Sequence, residues 1–365
     1  MATHIESLQL SDYRGMKRLE LNNLGAVNVF VGDNNVGKTS VLEAIQLLCA
    51  PNKYSLVQLA RQREKYKADL GVGLVDSLCY LFNMNSENNK YLEFRLGGNV
   101  HGENGEVVVY GERGVQLLDI SKFHYHAEGW QPKEKMEEVD TFYGKIECSF
   151  VKYQQEGFGV DEFEINDYSR VRIGKSGQNE ILRNKTVLTI DHIIENAFEE
   201  LIKSSKVKDK AVQLLKEEFD ENIKDLRIIG NGTGYVPMIE VDSGEYVPLS
   251  LYGDGMKKAL TMLNAIVSTE GGVVLVDEFE TALHTSAMEK VFSFVLEAAN
   301  KSEVQLFLTT HSLEAVDKLL ECAGEHIDML RIIRLRKKNE KVFSHVMCGQ
   351  EALENRKAYD MEIRV

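Results

Sequence analysis

The chain has 365 residues, 43% of them hydrophobic, enough for two or three packed units of ~100 to 200 residues that hold a core without staples. Five cysteines lie far apart at positions 49, 79, 148, 322 and 348, with no CxxC and no Cys/His cluster at metal spacing, which argues against a disulfide framework or a zinc site. The formal net charge of -14 repels phosphate polyanions at long range, so any nucleic-acid binding has to be local.

The opening MATHIESLQL lacks the charged region and apolar run of a secretory signal. No stretch approaches the ~18 consecutive apolar residues of a membrane span, so a cytoplasmic chain with no membrane partner is expected. Residues 3–31 alternate the apolar runs IESLQL, LELNNL and VNVFV with the turn-like DYRG and LG, predicting two short strands that lead into a buried third. A helix is predicted from Lys38 to about Cys49, then helical segments near 54–67 and 72–82. A strand-rich middle follows: YLEFRL (91–96), EVVVYG (106–111), FYGKIECSFV (142–151) and DEFEI (161–165).

From residue 191 the apolar period becomes helical, through Ile193, Ala197 and Leu201, and again through Val207, Ala211 and Leu215. KSSKVKD joins the two arms into a hairpin over 191–222, and its lysines 203, 206, 208 and 210 read either as a solvated tip or as phosphate contacts. An α/β pattern is expected to resume from residue 226, with GGVVLVDE and VQLFLTTH each a buried strand followed by a helix. MLRIIRL and KVFSHV read as two more strands before a final helix. The expected fold class is α/β, divided into an N-terminal lobe over 1–185, a hairpin insertion over 186–225 and a C-terminal lobe over 226–365.

The strongest local pattern is the apolar Val29-Phe30-Val31 running into GDNNVGKTS, which satisfies GxxxxGK[ST] between a strand and a helix. Here Gly32, Asp33, Asn34, Asn35, Val36 and Gly37 form a loop whose backbone N–H groups converge on phosphate oxygens at a helix N-terminus. Lys38 neutralises phosphate charge, Thr39 offers a hydroxyl to Mg2+, and Ser40 follows in the first helical turn. A fortuitous Gly-rich turn is the bland alternative. Far along the chain, Val273–Val276 ends in Asp277-Glu278, which puts carboxylates at a strand's C-terminal edge: Asp277 suits the Mg2+ shell, and Glu278 is placed to polarise the attacking water. In LSLYGDGMKKAL, Ser250, Gly253 and Gly255 are expected to open a helix, a second anion-attracting N-terminus or simply a capped one. In LFLTTHS, His311 ends another apolar strand, where an imidazole can reach a γ-phosphate or serve structure alone.

Taken in order, the P-loop, the SxxGxG helix, the hydrophobic-DE strand and the strand-His resemble the ABC ATPase head of the SMC, Rad50 and RecF group, and most closely the OLD-like AAA15 ATPases of prokaryotes. Gly253-Asp254-Gly255-Met256-Lys257-Lys258 matches that group's GxGxxK signature, DEFETALH (277–284) resembles its D-loop, and DYRGMKRLEL (12–21) resembles its strand pair with a basic turn at Arg14. The resemblance implies ATP and Mg2+ as ligands, with Lys38, Glu278 and His311 in catalytic roles. It also implies a homodimer or higher oligomer, in which Ser250, Gly253 and Gly255 of one chain close on the nucleotide of the other. Gln58 and Gln62 are weak candidates for the Q-loop. OLD nucleases append a Toprim domain, whereas 54 residues follow His311 here, too few for another catalytic domain of ordinary size. His124 and His126 alternate on a strand-like face and read as structural.

A separate effector such as a nuclease or toxin, in an anti-phage defence setting, is therefore the expected partner. The alternative is a RecF-like repair ATPase acting directly on DNA. A transporter ATPase fits least, since LSGGQ is absent and Phe279 replaces the usual proline. The strip RIIRLRKKNEK (331–341), six positive residues against one negative, reads as a solvated strand end, or as a landing site for DNA or an acidic partner.

Overall fold

The computed structural model describes residues 2–62, 73–83, 91–123, 134–155, 159–169, 180–182, 185–188, 205–230, 235–338 and 341–359. The chain opens as expected with β1 (Ile5–Tyr13), β2 (Met16–Leu21) and β3 (Val27–Val31), then α1 (Lys38–Cys49), α2 (Lys53–Gln62) and α3 (Leu74–Cys79). The middle contains β4 (Tyr91–Val100), β5 (Glu103–Asp119), β6 (Met136–Cys148), α4 (Val151–Gln155), β7 (Val160–Asn166) and β8 (Lys185–Leu188). After α5 (Ser205–Glu218) come β9 (Ile223–Gly230), β10 (Tyr235–Val241) and β11 (Tyr246–Pro248). The remainder alternates: α6 (Asp254–Ser268), β12 (Val273–Val276), α7 (Thr285–Lys301), β13 (Gln305–Thr309), α8 (Leu313–Cys322), β14 (Leu330–Lys338), β15 (Lys341–Cys348) and α9 (Gly349–Tyr359).

These strands build three sheets. The central one runs β15-β14-β3-β13-β12-β8; its strands pair in parallel except for β15, which turns back antiparallel on β14. An antiparallel sheet, β2-β1-β4-β5-β6-β7, forms a second layer, and β11-β10-β9 a small third sheet. The central strands VNVFV and VVLV are buried at every position, as a sheet covered on both faces requires. One face, with Phe30, Leu275, Phe307 and Ile333, packs with α1 against the antiparallel sheet. The other face, with Val29, Val274, Leu306 and Ile332, is covered by the helices that follow α4. Buried Gln305 ties the layers together. Its Oε1 accepts from His4 N (2.9 Å) and Ile5 N (2.8 Å), and its Nε2 donates to Ile5 O (2.9 Å) and Gly25 O (2.8 Å).

Several expectations need correcting. The strand anticipated over 142–151 ends at Cys148 and gives way to α4. Residues 223–248 form an antiparallel meander, so the α/β alternation resumes only at α6. β8 was not anticipated from the sequence: four residues are too short a run to show a period, and pairing with β12 fixes them as a strand. Of the hairpin over 191–222, the first arm lies outside the described residues, as do His124 and His126. The second arm is α5, where Lys208 pairs with Asp225 (2.8 Å) and Lys210 with Glu297, so these two lysines are engaged in ion pairs.

Candidate nucleotide site

The P-loop begins where β3 stops. Gly32 has φ 141, and a Cβ there would lie 2.3 Å from Leu335 O, so β14 presses directly on the loop and only glycine fits. Gly37, at φ 107, ends the loop and caps α1. Lys38 therefore starts the helix with its side chain folded back, donating to Gly32 O (2.7 Å), Asp33 O (3.1 Å) and His311 Nδ1 (3.2 Å). Burial pushes the Lys38 ammonium below its usual range, partly offset by Asp277, Glu278, Asp33 and Glu280.

The remote motifs meet this loop. β12 lies beside β13, which lies beside β3, so Asp277 and the 309–311 segment emerge at the same sheet edge as Gly32. Thr39 Oγ1 donates to Asp277 Oδ2 at 3.0 Å, a pair of hard oxygens suited to Mg2+ in a phosphate site. Glu278 follows in a left-handed conformation (φ 46), uncommon for a side chain of its size. Its N–H donates to Thr309 Oγ1 (2.9 Å), and its Oε2 accepts from Thr281 Oγ1 (3.1 Å). The Thr309 hydroxyl in turn donates to Asp277 Oδ1. His311 Nε2 stands 3.9 Å from Glu278 Oε1, and the His311 N–H donates to Glu280 Oε1 at 3.1 Å.

A cleft of about 640 Å³ opens over the loop, lined by Asn34 to Ser40, Glu278, His311, the Arg14-Gly15-Met16 turn, Lys337 and Val342. That volume suits a nucleotide-sized ligand. Arg14 borders the cleft, but its guanidinium turns inward: Nε lies 2.6 Å from Glu43 Oε2, and Nη2 donates to Leu59 O (3.0 Å). Gln58 and Gln62 sit on α2, away from the lining.

The signature segment differs in detail from its sequence reading. Gly253 caps α6 and Gly255 lies in its first turn, but exposed Ser250 belongs to a separate 3-10 turn, Leu249–Leu251. None of the three lines the cleft. Gly255 abuts the segment after Glu278, since a Cβ there would meet Ala282 O at 2.7 Å. Lys258 points inward and is only 5% exposed; burial pushes its ammonium below the usual range, offset by Glu280, Asp277 and Glu278. Sequence reasoning gives no nucleotide-site role to Thr309, Glu280 or Lys337. The first two stand inside the LTTH and DEFE motifs that named their neighbours, whereas Lys337 was noticed only as part of a charge run.

Residues 4–99 match the family model described as "AAA ATPase domain", and residues 158–317 match "AAA domain, putative AbiEii toxin, Type IV TA system". Both matches are to AAA-type ATPase domains, and over those residues the chain is similar to AAA15-type ATPases. An "ATP/GTP phosphatase" of Helicobacter pylori (strain ATCC 700392 / 26695) is 21% identical to this chain over 335 residues, covering 86% of this chain and 87% of the relative. RecF, a DNA replication and repair protein of Clostridium botulinum (strain Eklund 17B / Type B), is 52% identical over 42 residues, 12% of each chain. Among solved structures, an SMC head bound to the C-terminal winged-helix domain of ScpA covers 96% of this chain and is itself covered in full. It has a TM-score of 0.50 and 15% identity, a likeness of fold. No helix among the described residues is long and apolar enough to cross a membrane.

Proposed function

We propose that the cleft binds ATP with Mg2+ and hydrolyses it. The observation that carries this reading is the convergence of Lys38, Thr39, Asp277, Glu278 and His311, from three neighbouring strands, on one sheet edge. The P-loop N–H groups and Lys38 hold the β- and γ-phosphates once Lys38 exchanges its loop carbonyls for phosphate oxygens. Thr39 and Asp277 would hold Mg2+, which supplies charge neutralisation at the phosphates. Glu278 takes a proton from a water as its oxygen attacks the γ-phosphorus, the bond to the ADP oxygen breaks, and ADP and inorganic phosphate result. His311 lies beside both Lys38 and Glu278, where it orients the transferring phosphoryl group. Phosphate release from purified protein, with ATP and with Mg2+ added or chelated, tests the reading; no ATP-dependent release would overturn it.

In the same reading, two chains sandwich ATP head to tail. α6 lies off its own cleft, so its N-terminus is available to a partner's nucleotide, and ATP controls the assembly. The family description naming a toxin–antitoxin system supports a cytoplasmic role in defence, with the ATPase governing a separate effector. The short RecF match supports the second reading, a repair ATPase acting on DNA. DNA-stimulated hydrolysis by the isolated protein would favour repair; a co-purifying effector whose activity follows nucleotide state would favour defence.

A further inference from the structure

The basic strip at 331–341 is divided by the sheet rather than presented as one surface. Arg331 is occupied by backbone carbonyls, donating to Asn23 O (3.1 Å), Asp328 O and Leu330 O (2.8 Å each). The last parallel pair between β14 and β3 is Arg334 with Val31, after which β14 continues along the P-loop, with Leu335 O against Gly32. Side chains alternate along a strand, so Lys337 shares a face with buried Leu335 and Ile333, while Arg336 and Lys338 take the opposite one. That face carries Lys337 into the lining of the cleft, paired in register with Val342 of β15.

Its position along the cleft follows from strand order. Glu278 and His311, at the ends of β12 and β13, mark the γ-phosphate end on one side of β3. Lys337 and Val342 stand on the other side, together with the Arg14-Gly15-Met16 turn. With Arg14 turned in to Glu43, Lys337 is the cation left to act there among the described residues that line the cleft. Its ammonium has no hydrogen-bond or ion-pair partner among the described residues. Met16 and Val342 border the cleft there with apolar side chains that are mostly buried, and the exposed Lys337 ammonium suits nitrogen and ribose-oxygen acceptors.

We propose that Lys337 is a nucleotide-binding residue that donates to the base or ribose of the nucleotide held by the P-loop of its own chain. The inference rests on the nucleotide reading of the cleft and assigns the residue to the nucleoside end, away from the phosphates that Lys38 holds.

The test compares ATP, ADP and inorganic tripolyphosphate binding to the full chain by calorimetry, for wild type, Lys337→Ala, Lys337→Arg and Lys338→Ala. Loss of a charge-assisted hydrogen bond should weaken ATP and ADP alike by roughly tenfold. Tripolyphosphate affinity should be unchanged, Lys337→Arg should retain most of the affinity, and Lys338→Ala should match wild type. In hydrolysis, Lys337→Ala should raise KM and leave kcat near wild type, because the contact is the same in ground and transition states. Unaltered ATP and ADP affinity in Lys337→Ala would overturn the assignment alone. An equal loss for tripolyphosphate would overturn its placement at the nucleoside. Absence of ATP and ADP binding in wild type would instead overturn the nucleotide reading of the cleft, and this assignment with it.

Discussion

Thr309 accepts the backbone N–H of Glu278 at 2.9 Å through the same hydroxyl that it donates to the Asp277 carboxylate. One buried side chain thus fixes the direction of the residue assigned to the metal and the backbone of the residue assigned to the water. The left-handed conformation of Glu278 costs on the order of 1 to 3 kcal/mol, and this bond helps to hold it.

Thr309→Val keeps the shape and removes the bridge. Losing the hydroxyl should cost about 1 to 3 kcal/mol in the reacting arrangement, which lowers kcat by roughly ten- to a hundredfold. ATP affinity should stay near wild type. Steady-state phosphate release beside equilibrium nucleotide binding separates the two effects, and a variant with normal kcat would remove Thr309 from the mechanism.

Glu278→Gln should bind ATP as wild type does and turn it over at least about a hundredfold more slowly, because charge and phosphate contacts survive while proton acceptance is lost. Lys38→Ala should fail to bind. A Glu278→Gln protein with wild-type turnover would show that another group activates the water.

Gly253 caps α6 with φ -63, and a Cβ there would meet nothing within 4 Å. Gly253→Arg should therefore fold and bind ATP normally while obstructing a partner's approach to the helix N-terminus. Sedimentation of the Glu278→Gln protein, with and without the second change, should show an ATP-dependent dimer only in its absence. A dimer that persists in the double variant would place the interface elsewhere.

Lys258 gives a pH-dependent prediction. Burial lowers its pKa below the ordinary 10.5, so the charged form costs stability below the folded-state pKa, and that cost is relieved as pH rises through it. Lys258→Met should therefore melt above wild type near neutral pH, with the difference narrowing as pH increases. Turnover should fall, since Glu280 and the adjacent carboxylates lose a neighbouring cation. Melting curves from pH 7 to 10 on both proteins read the sign; a gap that widens with pH would contradict the burial argument.

Much of this site could be read in the sequence because its motifs are contiguous and each ends an apolar strand. VNVFV, VVLV and QLFLT announce themselves by burial at every position, and the polar residue after each must emerge at a common edge. Contacts that depend on three-dimensional register were not legible. Lys337 reaches the cleft because β14 lies against Gly32, and Lys258 turns inward because Gly255 lets α6 approach Ala282; neither approach leaves a periodic trace. Ser250 shows the opposite failure, a spacing that suggested one helix across what is a 3-10 turn followed by a new start.

The placement of β3 also bears on how the protein is made. Its two sheet neighbours are β13 and β14, which begin at Gln305 and Leu330, and the Gln305 amide holds the first strand as well. At ~5 to 20 residues per second, a ribosome that has finished the P-loop needs on the order of tens of seconds more before either neighbour exists. Throughout that interval VNVFV is an unpaired apolar segment that requires shielding, and the GKT sequence has no fixed loop with which to grip a phosphate. A nascent chain still short of His311 carries the whole P-loop motif without the pocket, so ATP cannot assist folding until synthesis has passed His311 and the β14 strand beyond it.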